Sequence, residues 1–317
     1  MSAVLSKTLK DKDMDRIFAE VSCTEDLGLS KPGQLRLFHL LVRDGKFYHE
    51  DLEKWLYRNL SRYVFSRAML EQFRRNDDLD AAIERAIKTM RENGDADEKG
   101  MGNELGEMMI YAFLEGKLSA PKLMSRVELS TDLSQYKSVC ESIHLFSDTD
   151  ENGAPFNQMV FGASNIVGEI QDAVDNAFDV IIRIKNRSSR EIQMVEKTAL
   201  DRFFDDNEIA FLQDTIIPTP NAKSRYNTAY GVFLGYSIGV NAKDHPEIEY
   251  EQLITKKMVE DIQRHSGYIA DKIKNNGLDM HSFYIYGNTA QLTPHCHKKS
   301  DMPWNSRKLP IRLARAH

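Results

Sequence analysis

The chain has 317 residues, 41% hydrophobic and 28% charged, with a formal net charge of −6. That length supports a full hydrophobic core and a second, smaller unit, and the acidic balance excludes a wholly basic nucleic-acid-coating surface but not a local basic groove. No run of 18 apolar residues is present, the polar stretch Met1 to Asp11 lacks the apolar core of a signal peptide, and Cys23, Cys140 and Cys296 form no CxxC, so the expectation is a cytoplasmic chain with reduced thiols and no membrane contact.

Residues 1–98 read as a mainly helical region. Gln34 to Val42 is a short apolar element stopped by Arg43-Asp44-Gly45. From Glu50 to Phe73 the apolar residues Leu52, Leu56, Leu60, Tyr63, Val64 and Met69 recur at helical spacing. Arg58, Arg62, Arg67, Arg74 and Arg75 run along the same stretch. They form either a solvated face or a phosphate- or partner-binding one. Leu79 to Arg91 is a further amphipathic helix, with acids early and bases late. Asn93-Gly94-Asp95 ends it, and the polar run 93–100 is the best boundary in the chain.

A second region spans 99–287. Met101 to Leu114 reads as a helix, followed by candidate strands at 123–129, 138–146 and 156–163. The run Ser147 to Gly153 between the last two carries hairpin turn chemistry. A long helix over 166–184, another over 191–206, a buried strand over 230–240, a helix over 250–275 and a strand over 280–286 complete it. The order is α-β-β-β-α, more helix, then β-α-β. That is an α/β sandwich rather than a repeating βαβ array. No glycine-rich nucleotide loop is present, which argues against a cofactor-dependent metabolic α/β enzyme. From 288 to 317 the pattern is lost and bases dominate. This segment reads as a dispensable basic tail, flexible or foreign to the fold. Its Pro294-His295-Cys296-His297 lacks the second ligand pair of a zinc site.

An αβββαβ order is that of the restriction-endonuclease-like nuclease core, in which acids hold Mg²⁺ and a lysine stabilises developing charge. The first helix offers Glu104 and Glu107, one turn apart. The second strand offers Glu141, which period-two alternation sets on one face with Val139, Ile143 and Leu145. A carboxylate among apolar neighbours is costly to bury without a partner or a metal. An edge position facing water is the alternative for Glu141, and ordinary solvated helix carboxylates for Glu104 and Glu107. Cys140 and His144 share a strand face but stand roughly 13 Å apart by strand rise, too far for a thiolate–imidazole pair. Asp172, Asp175 and Asp179 line one side of a helix and read as solvated.

Asn103-Glu104-Leu105-Gly106-Glu107, Ser138 to Phe146, Gln158 to Asn165 and Gly168 to Val174 together resemble the HamA family, the effector subunits of Hachiman antiphage systems. The resemblance covers roughly 99–287. It implies a PD-(D/E)XK-type fold and a metal-dependent DNA nuclease using Mg²⁺ or Mn²⁺. It also implies a superfamily 2 helicase partner, HamB, that senses phage-associated DNA and releases the nuclease. The sequence departs from the active pattern on the third strand, where Glu-x-Lys is replaced by Ala163-Ser164-Asn165. Alanine binds no metal and asparagine carries no charge. Three readings stay open: migrated ligands, with Glu169 supplying the missing acid; a catalytically degenerate module that binds or regulates a helicase; or substitution that traps substrate. The expected site is Glu107 and Glu141 with Asn165 at the catalytic position. Glu104 or Glu169 completes the metal ligands.

Overall fold

The computed structural model describes residues 5–9, 14–93, 103–128, 139–149, 152–166, 168–194, 208–209, 212, 215, 226–240 and 244–289. In chain order come β1 (Phe18–Val21) and β2 (Leu35–Leu40), then the hairpin β3 (Val42–Arg43) and β4 (Lys46–Phe47). Three helices follow, α1 (His49–Val64), α2 (Arg67–Arg75) and α3 (Leu79–Asn93). Next are α4 (Asn103–Gly116), β5 (Lys122–Ser125), β6 (Ser142–Thr149), β7 (Pro155–Asn165) and α5 (Ile170–Met194). The last are β8 (Tyr226–Tyr236), α6 (Glu247–Asn275) and β9 (Phe283–Thr289).

Seven of these strands form one mixed sheet in the order β1-β2-β9-β8-β7-β6-β5. The meander β5-β6-β7 is antiparallel, and β7, β8, β9 and β2 run parallel. Strands from the three runs expected at 123–129, 138–146 and 156–163 therefore lie side by side, with α4 and α5 packed on the sheet, but the first run is strand only to Ser125 and turns helical over 126–128. From Ala229 to Tyr236, β8 is buried throughout, as a central parallel strand covered on both faces must be. On one face the ring of Phe113, from α4, lies 5.0–5.4 Å from those of Phe18, Phe38, Phe233 and Tyr286. On the other, Phe178 of α5 stacks on Phe283 at 5.8 Å. Glycines on the central strands let α4 approach closely: a Cβ on Gly231 would lie 2.5 Å from Leu114 Cδ2.

Several expected boundaries move. Among the described residues the α-helices of the N-terminal region fall within 49–93; residues 14–47 instead hold a short 3-10 turn and four strands, and β1 and β2 extend the sheet of the second region. Gln34 to Val42 becomes β2, held parallel to β9 from the far end of the chain, a pairing no local pattern announces. Asp44 and Gly45 both take positive φ, 50° and 66°, so the Asp-Gly pair forms the tight turn of β3-β4. The long helical stretch from Glu50 breaks at Phe65, which is extended, and restarts where Ser66 caps α2 by accepting from Met69 N–H at 3.2 Å. The strand expected at 138–146 starts four residues later, at Ser142. Asn288 and Thr289, expected in the tail, belong to β9. The rest of the 288–317 segment, with Pro294-His295-Cys296-His297, lies outside the described residues, as does most of the helix expected at 191–206.

Candidate functional site

Four elements meet at one end of the meander. Glu107 lies on α4 one turn after its start and is buried. Tyr63, near the end of α1, donates its hydroxyl to Glu107 Oε2 at 2.6 Å. Arg126, just past β5, donates from Nη1 to Glu107 Oε1 at 2.9 Å. The Arg126 backbone N–H donates to the Glu141 carbonyl at 2.9 Å, and Glu141 N–H donates to the Gly162 carbonyl at 3.1 Å. Glu141 thus sits in the bend before β6, tied by its backbone to β7 on one side and to Arg126 on the other. Gly106 permits the contact between α4 and β7, since a Cβ there would fall 2.2 Å from Ser164 Oγ.

The Glu141 carboxyl is buried against Glu107. Ser164 donates hydrogen bonds to it from side chain and backbone. Its Oε2 has no hydrogen-bond partner among the described residues. Burial first, and the neighbouring Glu107 carboxylate second, push its pKa up to about 8, against the pull of Ser164 and Arg126. Near neutral pH this group therefore holds its proton for much of the time. Burial and the Glu107 charge likewise raise the Tyr63 hydroxyl well above the ordinary phenol value, so it stays a donor.

The sequence-predicted residues divide into those this corner gathers and those it does not. Glu107 and Glu141 come together. Glu104 is half-buried on α4, and Glu169 is exposed ahead of α5, where its N–H approaches Asp172 Oδ2 at 3.4 Å. Among the described residues, no three His, Cys, Asp or Glu side chains are grouped so as to hold a metal ion. Glu141 was expected to share a strand face with Ile143 and Leu145. The late start of β6 removes it from that alternation and leaves its carboxyl beside Ser164 instead. On β7 the alternation sets Gly162 and Ser164 toward α4. Ala163 and Asn165 are buried on the opposite side, where Asn165 Oδ1 accepts from Asn176 of α5 at 3.3 Å.

Tyr63, Arg126 and Ser164 were not anticipated. Tyr63 sits in an apolar helical stripe and reads as core. Ser164 is the central residue of the Ala-Ser-Asn triplet, passed over because the outer two occupy the Glu-x-Lys positions. Arg126 falls in the middle of the run 123–129 expected to be strand, where nothing in the pattern singles it out. The arginine series of the helical region does not share one environment. Arg67 is half-buried against Glu115 and Glu208 and donates to the Ser6 carbonyl, while Arg74 and Arg75 are exposed and pair with Glu71.

A family model described as HamA matches residues 15–292. The chain belongs to the HamA family. The HamA match takes in every strand of the seven-stranded sheet and all the residues of the carboxylate corner. Neither a curated protein nor a solved structure matches the chain significantly. Among the described residues of this HamA chain, no helix is long and apolar enough to cross a membrane.

Proposed function

We propose that this chain acts in antiphage defence as a restriction-endonuclease-like module directed at DNA phosphodiesters, using Mg²⁺ or Mn²⁺ and working beside a superfamily 2 helicase. The order α4-β5-β6-β7-α5-β8, with β6 the strand antiparallel to its neighbours, supports the fold reading. The observation that carries the functional reading is the buried Glu107–Glu141 pair, with one Glu141 oxygen left without a partner among the described residues. An unpartnered buried oxygen is expensive, and paired carboxylate oxygens suit a hard divalent cation that keeps several of its waters. Glu107 and Glu141 are the residues that would hold it. The ion, when bound, supplies Lewis-acid polarisation of a phosphate and a water of lowered pKa. The chain itself supplies orientation: Tyr63 fixes one oxygen of Glu107, and Ser164 aims Glu141.

Turnover on this reading is slow, because β7 brings Gly162 and Ser164, not an acid and a lysine, to the carboxylates. A single lost electrostatic donor typically lowers a rate by about 10²–10³. The same feature favours a second reading, a nuclease-fold module that binds DNA or the helicase without cleaving. The full chain incubated with plasmid DNA and Mg²⁺ or Mn²⁺ separates the two. Slow cleavage that Glu141→Gln abolishes supports the first. Metal-dependent DNA binding with no cut supports the second. Cleavage unaffected by Glu141→Gln removes this site from consideration. Co-purification with a co-expressed superfamily 2 helicase tests the partner, with α1–α3 the segment we assign to that contact.

A further inference from the structure

Resting on that reading of the site, we infer that Arg126 is its phosphate-contacting cation, filling the role for which β7 provides no lysine. Its place is fixed by backbone and side chain together. The Arg126 N–H is bonded to the Glu141 carbonyl at 2.9 Å, and its guanidinium is bonded to Glu107 Oε1 at 2.9 Å. It therefore ties the Glu141 backbone to the Glu107 carboxylate from a short helical turn, 126–128, that begins where β5 ends. The side chain is 20% exposed while that of Glu107 is 8% exposed, so the cation lies on the solvent side of the acid it pairs with. A polyanion approaching the carboxylate pair from solvent meets the guanidinium first. Its planar fork of five donors can keep one on Glu107 and turn others toward phosphate oxygens.

The lysine four residues earlier, on β5, does not compete for this role. Lys122 is buried, and its Nζ donates to the carbonyls of Arg62, Tyr63 and Phe65 at 2.9–3.0 Å and to Glu128 Oε1 at 3.1 Å. Those bonds cap the C-terminal end of α1 and leave the ammonium facing inward. An arginine paired with a carboxylate near the surface can recognise phosphate bidentately; a lysine enclosed by carbonyls is a structural post.

The test is binding of a fluorescein-labelled DNA duplex by the full-length protein in Ca²⁺, titrated at several salt concentrations. The variants are Arg126→Met, which keeps the aliphatic stem, and Arg126→Lys, which keeps the charge; thermal unfolding is recorded for each. Arg126→Met should bind about tenfold more weakly, and its log–log salt slope should flatten by about 0.9, the signature of one lost phosphate contact. Arg126→Lys should retain the slope. A role confined to neutralising Glu107 predicts a lower Tm for Arg126→Met with slope and affinity unchanged, and that result overturns the inference. Arg126→Gln takes the place of the methionine variant if the latter does not fold. Wild-type protein that binds no duplex at any salt overturns the reading of the site itself, and the assignment of Arg126 with it.

Discussion

Two buried glutamates on α4 make opposite kinds of site. Glu107 and Glu115 are eight residues apart, about 12 Å along the helix. Glu115 is fully buried and saturated: it accepts from Thr8 N–H at 2.9 Å, Thr8 Oγ1 at 2.9 Å, Leu9 N–H at 2.5 Å and Lys122 N–H at 2.6 Å. Arg67 stands 4.0 Å away. Every lone pair at that end of α4 is used to hold the segment 5–9 and the start of β5. At the other end, Glu107 is itself bonded by Tyr63 and Arg126, but it is buried against a second acid from outside α4, Glu141, whose Oε2 has no partner among the described residues. Burial alone therefore does not mark a functional carboxylate. The distinguishing feature is whether the fold has satisfied it, because a satisfied buried acid is a fastening and an unsatisfied one carries a cost that a fastening does not.

Breaking the fastening should give the largest effect. Glu115→Ala leaves the N–H groups of Thr8, Leu9 and Lys122 without their acceptor and removes one of the two carboxylates that face Arg67, so a loss of about 3–5 kcal/mol is expected, read by urea unfolding. A loss below about 1 kcal/mol would mean that the segment 5–9 is not held as described.

Next in size is the reconstruction of the missing motif, Ala163→Glu with Asn165→Lys. Ala163 is fully buried on the α5 side of β7. Overpacking there costs about 1–3 kcal/mol, and an ionised buried group adds to that. The expected outcome is a destabilised chain with no gain in cleavage, since the new groups face away from Glu141. Restored cleavage with native stability would show that the two faces of β7 are assigned the wrong way round.

Much of this was legible in the sequence, for reasons that are local. The meander, its flanking helices and the Glu107–Glu141 pairing follow from helical and strand periodicity plus element order. The parallel pairing of β2 with β9 did not, because its partners are some 250 positions apart (Leu35 opposite Ile285). Nor did the face assignment at the site. A four-residue delay in the start of β6 took Glu141 out of strand alternation, and alternation is the only rule by which sequence assigns a strand residue to a face. The polar shell escaped for a different reason: Tyr63 and Arg126 reach Glu107 from α1 and from the turn after β5, and no spacing rule links those segments.

The unsatisfied end of α4 should also reveal itself through pH. The carboxyl of Glu141 titrates near its ordinary value of 4.5 in the unfolded chain and at about 8 in the folded one. Between those values the folded state keeps a proton that the unfolded state has lost. Its contribution to stability is thus fully present below about pH 4.5 and is lost as pH rises through about 8. Glu141→Gln removes that loss, so with chelator present the variant should be more stable than the parent at pH 8 and gain progressively less toward pH 5. Parallel Tm profiles for the two proteins would contradict the burial of this group.

The smallest expected change sharpens the contrast within the site. Tyr63 is fully buried, its ring 5.5 Å from that of Tyr111, and its hydroxyl serves only Glu107 among the contacts described here. Tyr63→Phe keeps the ring and deletes one hydrogen bond to a charged acceptor, a loss of about 1.5 kcal/mol. Because burial and the Glu107 charge raise the phenol pKa, the folded state retains its proton beyond the ordinary phenol value. The stability tied to it is lost only as pH climbs above about 10. The difference between Tyr63→Phe and the parent should therefore be flat from pH 5 to 9, the range over which Glu141→Gln diverges. A Tyr63→Phe penalty that instead grew or shrank with pH across that window would mean that the hydroxyl and the Glu141 proton titrate as one unit, and the two acids would then have to be treated as a single proton-sharing pair.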